Sequence, residues 1–255
     1  MVVQYASDLH LDFQANRRYI MNCGIEPVGD CLVLAGDIAN LFQLNLYADF
    51  WKWCSKNFAL TVMVPGNHDC YGDWSSREKL IQPMKKKILP NVLCCNNTVL
   101  HLGKIDIVCS TLWSEIKPEY SMAVANGLLD FRAISIDSSP VTLNDYLWVH
   151  EESLRFVKNV VQTSSAKQIV VVTHHLPSYA VLADVFKESP LNSGFVTELG
   201  NWIVDSPIDF WIYGHSHISI ERRIGTTRLL SNQLGYVGYG EGDGYQPDKH
   251  FVVCD

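Results

Sequence analysis

The 255-residue sequence has little positive charge and no long apolar run. Lysine and arginine number 20 against 27 aspartate and glutamate residues, which gives a formal net charge of −7. A protein that binds long nucleic acids normally needs a basic groove, so this balance disfavours such a partner. The only dense basic run is Lys85-Lys86-Lys87, which we expect on a solvated helix face. Because no apolar stretch approaches the length of a membrane span, no membrane association is expected either.

The eight cysteines lack the spacing of a disulfide framework, and none forms a CxxC pair. Cys31 and Cys109 lie inside apolar runs, where a free cysteine behaves as a small buried hydrophobe. The chain opens directly on the apolar run "VVQYA", so we expect no signal peptide. These features predict a cytoplasmic protein, because a reducing compartment keeps thiols free.

Short apolar runs recur along the chain, and most lack strict alternation with polar residues. That pattern is typical of strands covered on both faces. Hydrophobic residues make up 47% of the sequence, which is enough material for a large core. The strands predicted in this way are residues 2–6, 31–35, 60–64, 105–109, 168–173 and 210–214.

Helical patterns lie between these strands. Asn40 is a candidate N-cap for a helix that runs to about residue 56. Thr142 and Asp145 form a capping-box start for a second, amphipathic helix. A third helix is expected at 195–204.

The last part of the sequence has a different pattern of apolar and turn-forming residues. From residue 219 onward, the sequence predicts antiparallel strands joined by turns at Gly225 and in the stretch "GYVGYGEGDGY". Residues 114–140 are the least regular segment, and we expect a surface excursion or a small cap there. Since no repeat or linker divides the chain, we predict a single α/β domain over residues 1–255.

Polar residues follow five of the predicted strands. They are Ser7-Asp8-Leu9-His10, Gly36-Asp37, Gly66-Asn67-His68-Asp69, Thr173-His174-His175 and Gly214-His215-Ser216-His217. Six of the nine histidines fall in these clusters. The carboxyl ends of strands in an α/β sheet lie along one edge, where ligand sites form. Imidazole and carboxylate ligands suit zinc, iron or manganese, so the sequence predicts a site for a pair of divalent cations.

Each motif taken alone also fits a structural role that involves no metal. Asp8-x-His10 and Gly36-Asp37 also occur in surface turns. His174-His175 also fits a strand end with one hydrogen-bonded core histidine. The joint occurrence of all five motifs, each after a predicted strand, favours the metal site over these alternatives.

Taken together, the five motifs resemble those of the calcineurin-like metallophosphoesterase superfamily, in particular its small bacterial-type phosphodiesterases. The residues that carry the resemblance are Asp8-x-His10, Gly36-Asp37, Gly66-Asn67-His68-Asp69, His174 and Gly214-His215-x-His217. The resemblance implies two facing mixed β-sheets flanked by helices, a four-layer α-β-β-α sandwich. It also implies a dinuclear metal site on the upper rim of the sheets.

The resemblance further implies a role for each residue. One divalent cation would be bound by Asp8, His10, Asp37 and His217. The other would be bound by Asp37 as a bridging ligand, Asn67, His174 and His215. His68 would protonate the leaving oxygen, and Asp69 would orient His68 by a hydrogen bond. The cations would be Mn²⁺, Fe²⁺/Fe³⁺ or Zn²⁺, and a hydroxide shared between them would attack phosphorus.

These residues predict a metal-dependent phosphoesterase, most consistent with a phosphodiesterase acting on a small-molecule phosphoester. A protein Ser/Thr phosphatase is not expected, because no arginine follows Asp37 as it does in those relatives. A phosphomonoesterase and a nucleotide pyrophosphatase remain alternatives, since the same centre serves all three. A non-catalytic metal-binding scaffold is a further alternative, which the complete ligand set disfavours.

Several other residues are candidates for substrate contact. Trp113 and Tyr71 would offer aromatic faces at the rim, although a packing role suits both. Arg132 would bind a second anionic group or form a surface salt bridge. Pocket-lining residues from the C-terminal segment would be Asn232, Gln233 and Tyr236.

Overall fold

Fifteen strands and seven α-helices follow one another in the computed structural model, which describes residues 1–254. The strands are β1 (Val2–Ala6), β2 (Cys31–Ala35), β3 (Leu60–Val64), β4 (Gly72–Trp74), β5 (Met84–Leu89), β6 (Val92–Asn96), β7 (Thr98–Leu102), β8 (Ile105–Ser110), β9 (Ile134–Ile136), β10 (Ser139–Pro140), β11 (Gln168–Thr173), β12 (Phe210–Tyr213), β13 (Arg222–Ile224), β14 (Thr227–Ser231) and β15 (His250–Val252). The helices are α1 (Gln14–Tyr19), α2 (Ala48–Asn57), α3 (Glu78–Ile81), α4 (Ser121–Gly127), α5 (Asp130–Ala133), α6 (Leu143–Thr163) and α7 (Gly200–Val204).

Most strands belong to two six-stranded mixed sheets. The first has the order β15-β1-β2-β3-β6-β5, and the second has the order β13-β14-β12-β11-β8-β7. In both sheets the four inner strands are parallel, and an antiparallel strand closes each edge. All parallel strands therefore end at a common edge within their own sheet.

The two sheets pack face to face and carry helices on their outer sides. Val33 of β2 points between the sheets, into the same core as Val172 of β11. Its neighbour Leu34 points the other way, into a core that contains Trp51 of α2. On the second sheet, Val171 faces outward into the core formed with α6. Both faces of these strands are thus buried, which explains their continuous apolar runs and confirms the α-β-β-α sandwich.

Several local predictions are confirmed. The side chain of Thr142 and that of Asp145 form the predicted capping box at the start of α6. β13 and β14 pair antiparallel around a turn in which Gly225 has φ +57°, while β14 also pairs parallel with β12. The second predicted turn joins no such pair, because β15 lies in the other sheet, antiparallel to β1. Cys31 and Cys109 are buried free thiols. No helix within residues 1–254 combines the length and apolarity needed to cross a bilayer.

Other local predictions are wrong. Asn40 caps no helix: its side chain accepts the Phe42 N–H and donates to the Tyr71 carbonyl. The helix begins instead at Ala48, after a 3₁₀ turn. Asparagine side chains form such local backbone hydrogen bonds in turns as readily as they cap helices. An asparagine at this position therefore does not distinguish a turn from a helix N-cap.

Two further segments differ from expectation because of strand pairing. Lys85, Lys86 and Lys87 lie on β5, an edge strand paired with β6, and not on a helix. Exposed lysines on an edge strand protect it from pairing with other chains. The helix expected at 195–204 is limited to α7, because Val196 forms an isolated bridge with Leu176.

Candidate metal centre

The predicted ligand residues gather at the strand ends of both large sheets. The loops after β1, β2 and β3 of the first sheet carry Asp8, His10, Asp37 and Asn67. The loops after β11 and β12 of the second sheet carry His174, His215 and His217. The two sheets therefore contribute to one cluster at a shared rim.

Five of these ligand candidates have left-handed backbone conformations. Positive φ angles occur at Asp8 (55°), His10 (44°), Asp37 (56°), His215 (79°) and His217 (56°). Such conformations are unfavourable for residues other than glycine and persist only where the surroundings impose them. Here the loops bond to one another: the Asp8 N–H donates to the Gly36 carbonyl and the His10 N–H to the Asp37 carbonyl, both at 2.9 Å.

Two glycines of the motifs make room for the ligands. A Cβ atom on Gly36, which has φ +90°, would lie 2.1 Å from Nδ1 of His174. A Cβ atom on Gly66 would lie 2.0 Å from Oδ1 of Asp37. Both positions therefore require glycine, because any side chain would collide with a ligand residue.

Asp8, His10 and His217 form the first group of converging donor atoms. Nε2 of His10 lies 3.1 Å from Nε2 of His217, which lies 3.6 Å from Oδ1 of Asp8. The Asp8 carboxylate is fixed by the Ser7 hydroxyl at 2.5 Å and by the His215 N–H at 3.0 Å.

Asp37, His174 and His215 form the second group, with Asn67 beside it. Nε2 of His174 lies 3.0 Å from Oδ1 of Asn67, 3.1 Å from Nδ1 of His215 and 3.4 Å from Oδ1 of Asp37. The other ring nitrogen of His174 lies 3.0 Å from the Ala35 carbonyl, which turns Nε2 toward the cluster.

Asp37 lies between the two groups. Its Oδ1 faces His174, while its Oδ2 lies 3.8 Å from Nε2 of His10. Nitrogen and oxygen ligands bind transition metals at about 2.0–2.2 Å, so donors around one ion lie about 3–4 Å apart. The observed spacings of both groups fit a divalent cation, and the two oxygens of Asp37 are placed one toward each.

The charges in the cluster also suit a metal. Burial opposes a charge on His174, but the Asp37 carboxylate, together with Asp8 and the Ala35 carbonyl, outweighs burial and raises the pKa of His174 to about 9. Burial lowers the pKa of His10 to about 3 and holds the pKa of His215 well below its ordinary value. His10 and His215 are therefore neutral, the form that binds metals, whereas His174 must release a proton before Nε2 becomes a ligand.

His68 and Asp69 lie in the same loop but have different surroundings. His68 is half-buried, and its ring packs against Tyr71 with 4.5 Å between centroids. A ring nitrogen of His68 also forms a third group of converging donor atoms with His10 and Asp37. Its backbone N–H donates to Oδ1 of Asp37 at 3.0 Å. Asp69 is buried and accepts the Gly66 N–H at 2.9 Å. Within residues 1–254 Asp69 does not form the predicted hydrogen bond to the His68 side chain; its carboxylate instead holds the loop that presents His68.

Asp130, which the motifs did not indicate, orients the candidate ligand Asn67. Oδ1 of Asp130 accepts Nδ2 of Asn67 at 2.7 Å and the Tyr71 hydroxyl at 2.9 Å. Because a carboxylate only accepts hydrogen bonds, this contact turns the amide oxygen of Asn67 toward His174. Asp130 is fully buried, and burial raises its pKa. It lies in the irregular 114–140 segment, whose sequence carries no recognisable signal for it.

Glu241 is a second residue that sequence reasoning missed. Its Oε2 lies 2.6 Å from Nδ1 of His217 and accepts the Tyr236 N–H at 2.7 Å. A carboxylate on the far nitrogen of a histidine ligand fixes the ring and raises its basicity. An isolated acid between Gly240 and Gly242 is the only sequence feature that marks it.

Replacing Glu241 by glutamine should weaken Mn²⁺ binding about 10- to 100-fold, the usual cost of losing such a partner. Glutamine retains an acceptor for the Tyr236 N–H but loses the charge that faces His217. Calorimetric titration of metal-free protein with MnCl₂ measures the effect. Asp243→Asn, in the same loop and exposed, is the matched control and should bind like wild type. Equal affinities for Glu241→Gln and wild type would contradict this role.

A pocket of about 380 Å³ opens beside the cluster. Its polar lining includes Asp37, Asn67, His68 and His215. Its apolar and aromatic lining consists of Leu128, Leu129, Phe186, Phe195, Ile218, Tyr71 and Tyr236. No lysine or arginine within residues 1–254 lines it.

The candidate contact residues divide between this pocket and the core. Tyr236 lines the pocket and stacks on His10 with 4.5 Å between ring centroids. Trp113 is buried against Tyr146, so it packs in the core. The Arg132 guanidinium donates to the Asn126 carbonyl at the surface. Asn232 and Gln233 are also buried; the Asn232 side chain donates to the Tyr5 carbonyl of β1, and the Gln233 side chain donates to the Ile218 carbonyl.

Comparison with known proteins agrees with this architecture. A sequence model of the calcineurin-like phosphoesterases matches residues 1–219. An uncharacterized protein of Acanthamoeba polyphaga mimivirus, L509, is 28% identical over 259 residues, covering 92% of this chain and 91% of the viral protein. The phosphopantetheinyl hydrolase PptH of Mycobacterium tuberculosis has a similar structure, with a TM-score of 0.67 and 18% identity over 92% of this chain and 89% of that chain. At this identity, the structural similarity shows a common fold. The matched region contains every predicted ligand and ends before Tyr236 and Glu241.

Proposed function

Because the chain belongs to the calcineurin-like phosphoesterases and is a metal-dependent phosphoester hydrolase, we propose that it is a phosphodiesterase with two divalent cations. Asp8, His10 and His217 would hold one cation, and Asn67, His174 and His215 the other. Asp37 would contribute one oxygen to each. Bound there, the cations would polarise the phosphoryl group and activate water.

His68 has the position of a general acid in this proposal. Its imidazole borders the pocket, beside both groups of donor atoms, and is less buried than His10 or His174. A donor at the pocket wall can deliver a proton to the leaving oxygen while the nucleophile approaches from the opposite side. We propose that Asp69 supports His68 through the loop backbone, since its carboxylate accepts the Gly66 N–H.

The residues that line the pocket are the observation that supports a diester as the substrate. Beside the cluster there is space with apolar walls, which suits the second ester substituent of a diester. The acidic residues Asp130 and Glu241 also face this space, and no lysine or arginine in the described chain accompanies them. A pyrophosphate or nucleotide polyphosphate would bring further negative charge with no cationic side chain to bind it. The same feature disfavours long nucleic acids.

Hydrolysis of bis(p-nitrophenyl) phosphate should exceed that of p-nitrophenyl phosphate by about 10- to 100-fold in kcat/KM, the gain expected from burying one aromatic ring. Initial rates with MnCl₂ and with EDTA measure both the preference and its metal requirement. A preference for the monoester would replace the phosphodiesterase with a phosphomonoesterase. Absence of turnover on either ester, in protein shown to hold two metals, would support a non-catalytic scaffold.

A further inference from the structure

Three exposed apolar side chains surround the mouth of the pocket. Leu129 is 48% exposed, and Phe186 and Ile218 are each 36% exposed. They come from three separate parts of the chain: the segment before α5, the loop after β11 and the segment after His217. We call Leu129, Phe186 and Ile218 the apolar rim. Single exposed apolar residues are ordinary, but a group converging on one opening indicates a binding surface.

The apolar rim continues into the depth of the pocket. Leu128 and Phe195 line the wall below it, and Phe195 packs on the ring of His215 with 4.4 Å between centroids. A ligand whose phosphoryl group lies at His215 would therefore have apolar side chains beside it from Phe195 outward to the apolar rim. The polar groups along that path are acidic or neutral, so they provide no partner for an anionic tail.

Given the phosphodiesterase activity proposed above, we infer that the substrate carries an uncharged apolar group, such as an alkyl chain, on one ester oxygen. The apolar rim and the wall beneath it bind this group, while the cluster binds the phosphoryl group. The apolar rim thereby determines specificity, because binding becomes more favourable as an apolar substituent lengthens, whereas a charged substituent finds no partner there.

A series of p-nitrophenyl alkyl phosphates tests the inference, with methyl, butyl and octyl as the alkyl group. We expect kcat/KM to rise about two- to fourfold per added methylene until the pocket is filled. In Leu129→Ser and Phe186→Ser proteins, the ratio of octyl to methyl kcat/KM should fall about three- to tenfold. Val185→Ser is the matched control, because Val185 is 79% exposed beside Phe186 but does not line the pocket.

Binding measured without turnover provides a second readout. Methylphosphonate and octylphosphonate have the same headgroup charge and cannot be hydrolysed. The heat capacity of binding to the Mn²⁺-loaded protein should be more negative for octylphosphonate, and the difference should shrink in Leu129→Ser.

Three results would overturn the inference. Turnover of the methyl ester with no gain along the series would refute the apolar specificity and leave the phosphodiesterase proposal standing. Absence of turnover on every ester would refute both. A dimer in size-exclusion chromatography that Leu129→Ser and Phe186→Ser convert to monomer would assign the apolar rim to a second copy of the chain.

Discussion

Replacing His68 by alanine should lower kcat about 100- to 10,000-fold, the range that a general acid contributes, while two metals remain bound. The expected separation follows from the geometry. The imidazole of His68 packs on Tyr71 and His10 at the pocket wall, whereas its backbone N–H, which alanine retains, holds Asp37. Steady-state rates on diphenyl phosphate, whose leaving group is poorer than p-nitrophenolate, and metal analysis of the same sample give the two quantities.

A leaving group of lower pKa needs less help from an acid, so the loss in the His68→Ala protein should shrink as the leaving group improves. His250→Ala is the matched control, since the His250 side chain is exposed and contacts the nearby Asp248 carbonyl, away from the site. If His68→Ala lost metal and activity in equal proportion, His68 would be a structural support of the ligand cluster and not the acid.

Replacing Asp37 by asparagine should have the largest effect on metal binding, because this one carboxylate faces both groups of ligands. We expect Mn²⁺ affinity to fall more than about 100-fold, beyond the cost of losing an outer partner of a ligand. Turnover at micromolar metal should fall about 100- to 1,000-fold, in line with losing a charge-stabilising group. Asparagine keeps the shape of the side chain, so the change isolates the charge.

The same substitution should abolish stabilisation of the fold by metal. A ligand at 100 times its Kd stabilises a protein by about 2.7 kcal/mol, which for a chain of this size raises Tm by about 5–10 °C. Wild type should show that rise in differential scanning calorimetry, and Asp37→Asn should not. Asp106→Asn is the control: Asp106 is 7% exposed on β8 and bonds to His101 and Ser164 outside the site. A normal metal-dependent rise in Asp37→Asn would exclude the bridging role.

The candidate ligand set could be predicted from the sequence because each motif is local. Asp8, Asp37 and His174 come one or two residues after a buried strand, and the chain order of the strands places those ends at one rim. The glycines at 36 and 66 belong to the same local pattern, since each leaves space for a ligand's side chain.

Local sequence patterns were less reliable where one pattern is compatible with two different local structures. The lysines at 85–87 lie on a strand because β6 pairs with that segment. The residues next to them in the sequence do not indicate this pairing. Asn40 bonded to its own loop and to Tyr71 because the loop after β3 lies beside it in space. In both places a contact outside the segment selected the structure.

The amino-acid sequence by itself predicted six of the buried parallel strands, the candidate metal ligands and the candidate acid, because apolar runs and strand-end motifs involve only a few residues. Only the tertiary structure decided which residues support those ligands and which surround the pocket. Asp130 meets Asn67 across 63 positions of the chain, and Glu241 meets His217 across 24. The apolar rim likewise joins three distant segments. Such contacts arise from loop conformations that the fold imposes, so no local pattern encodes them.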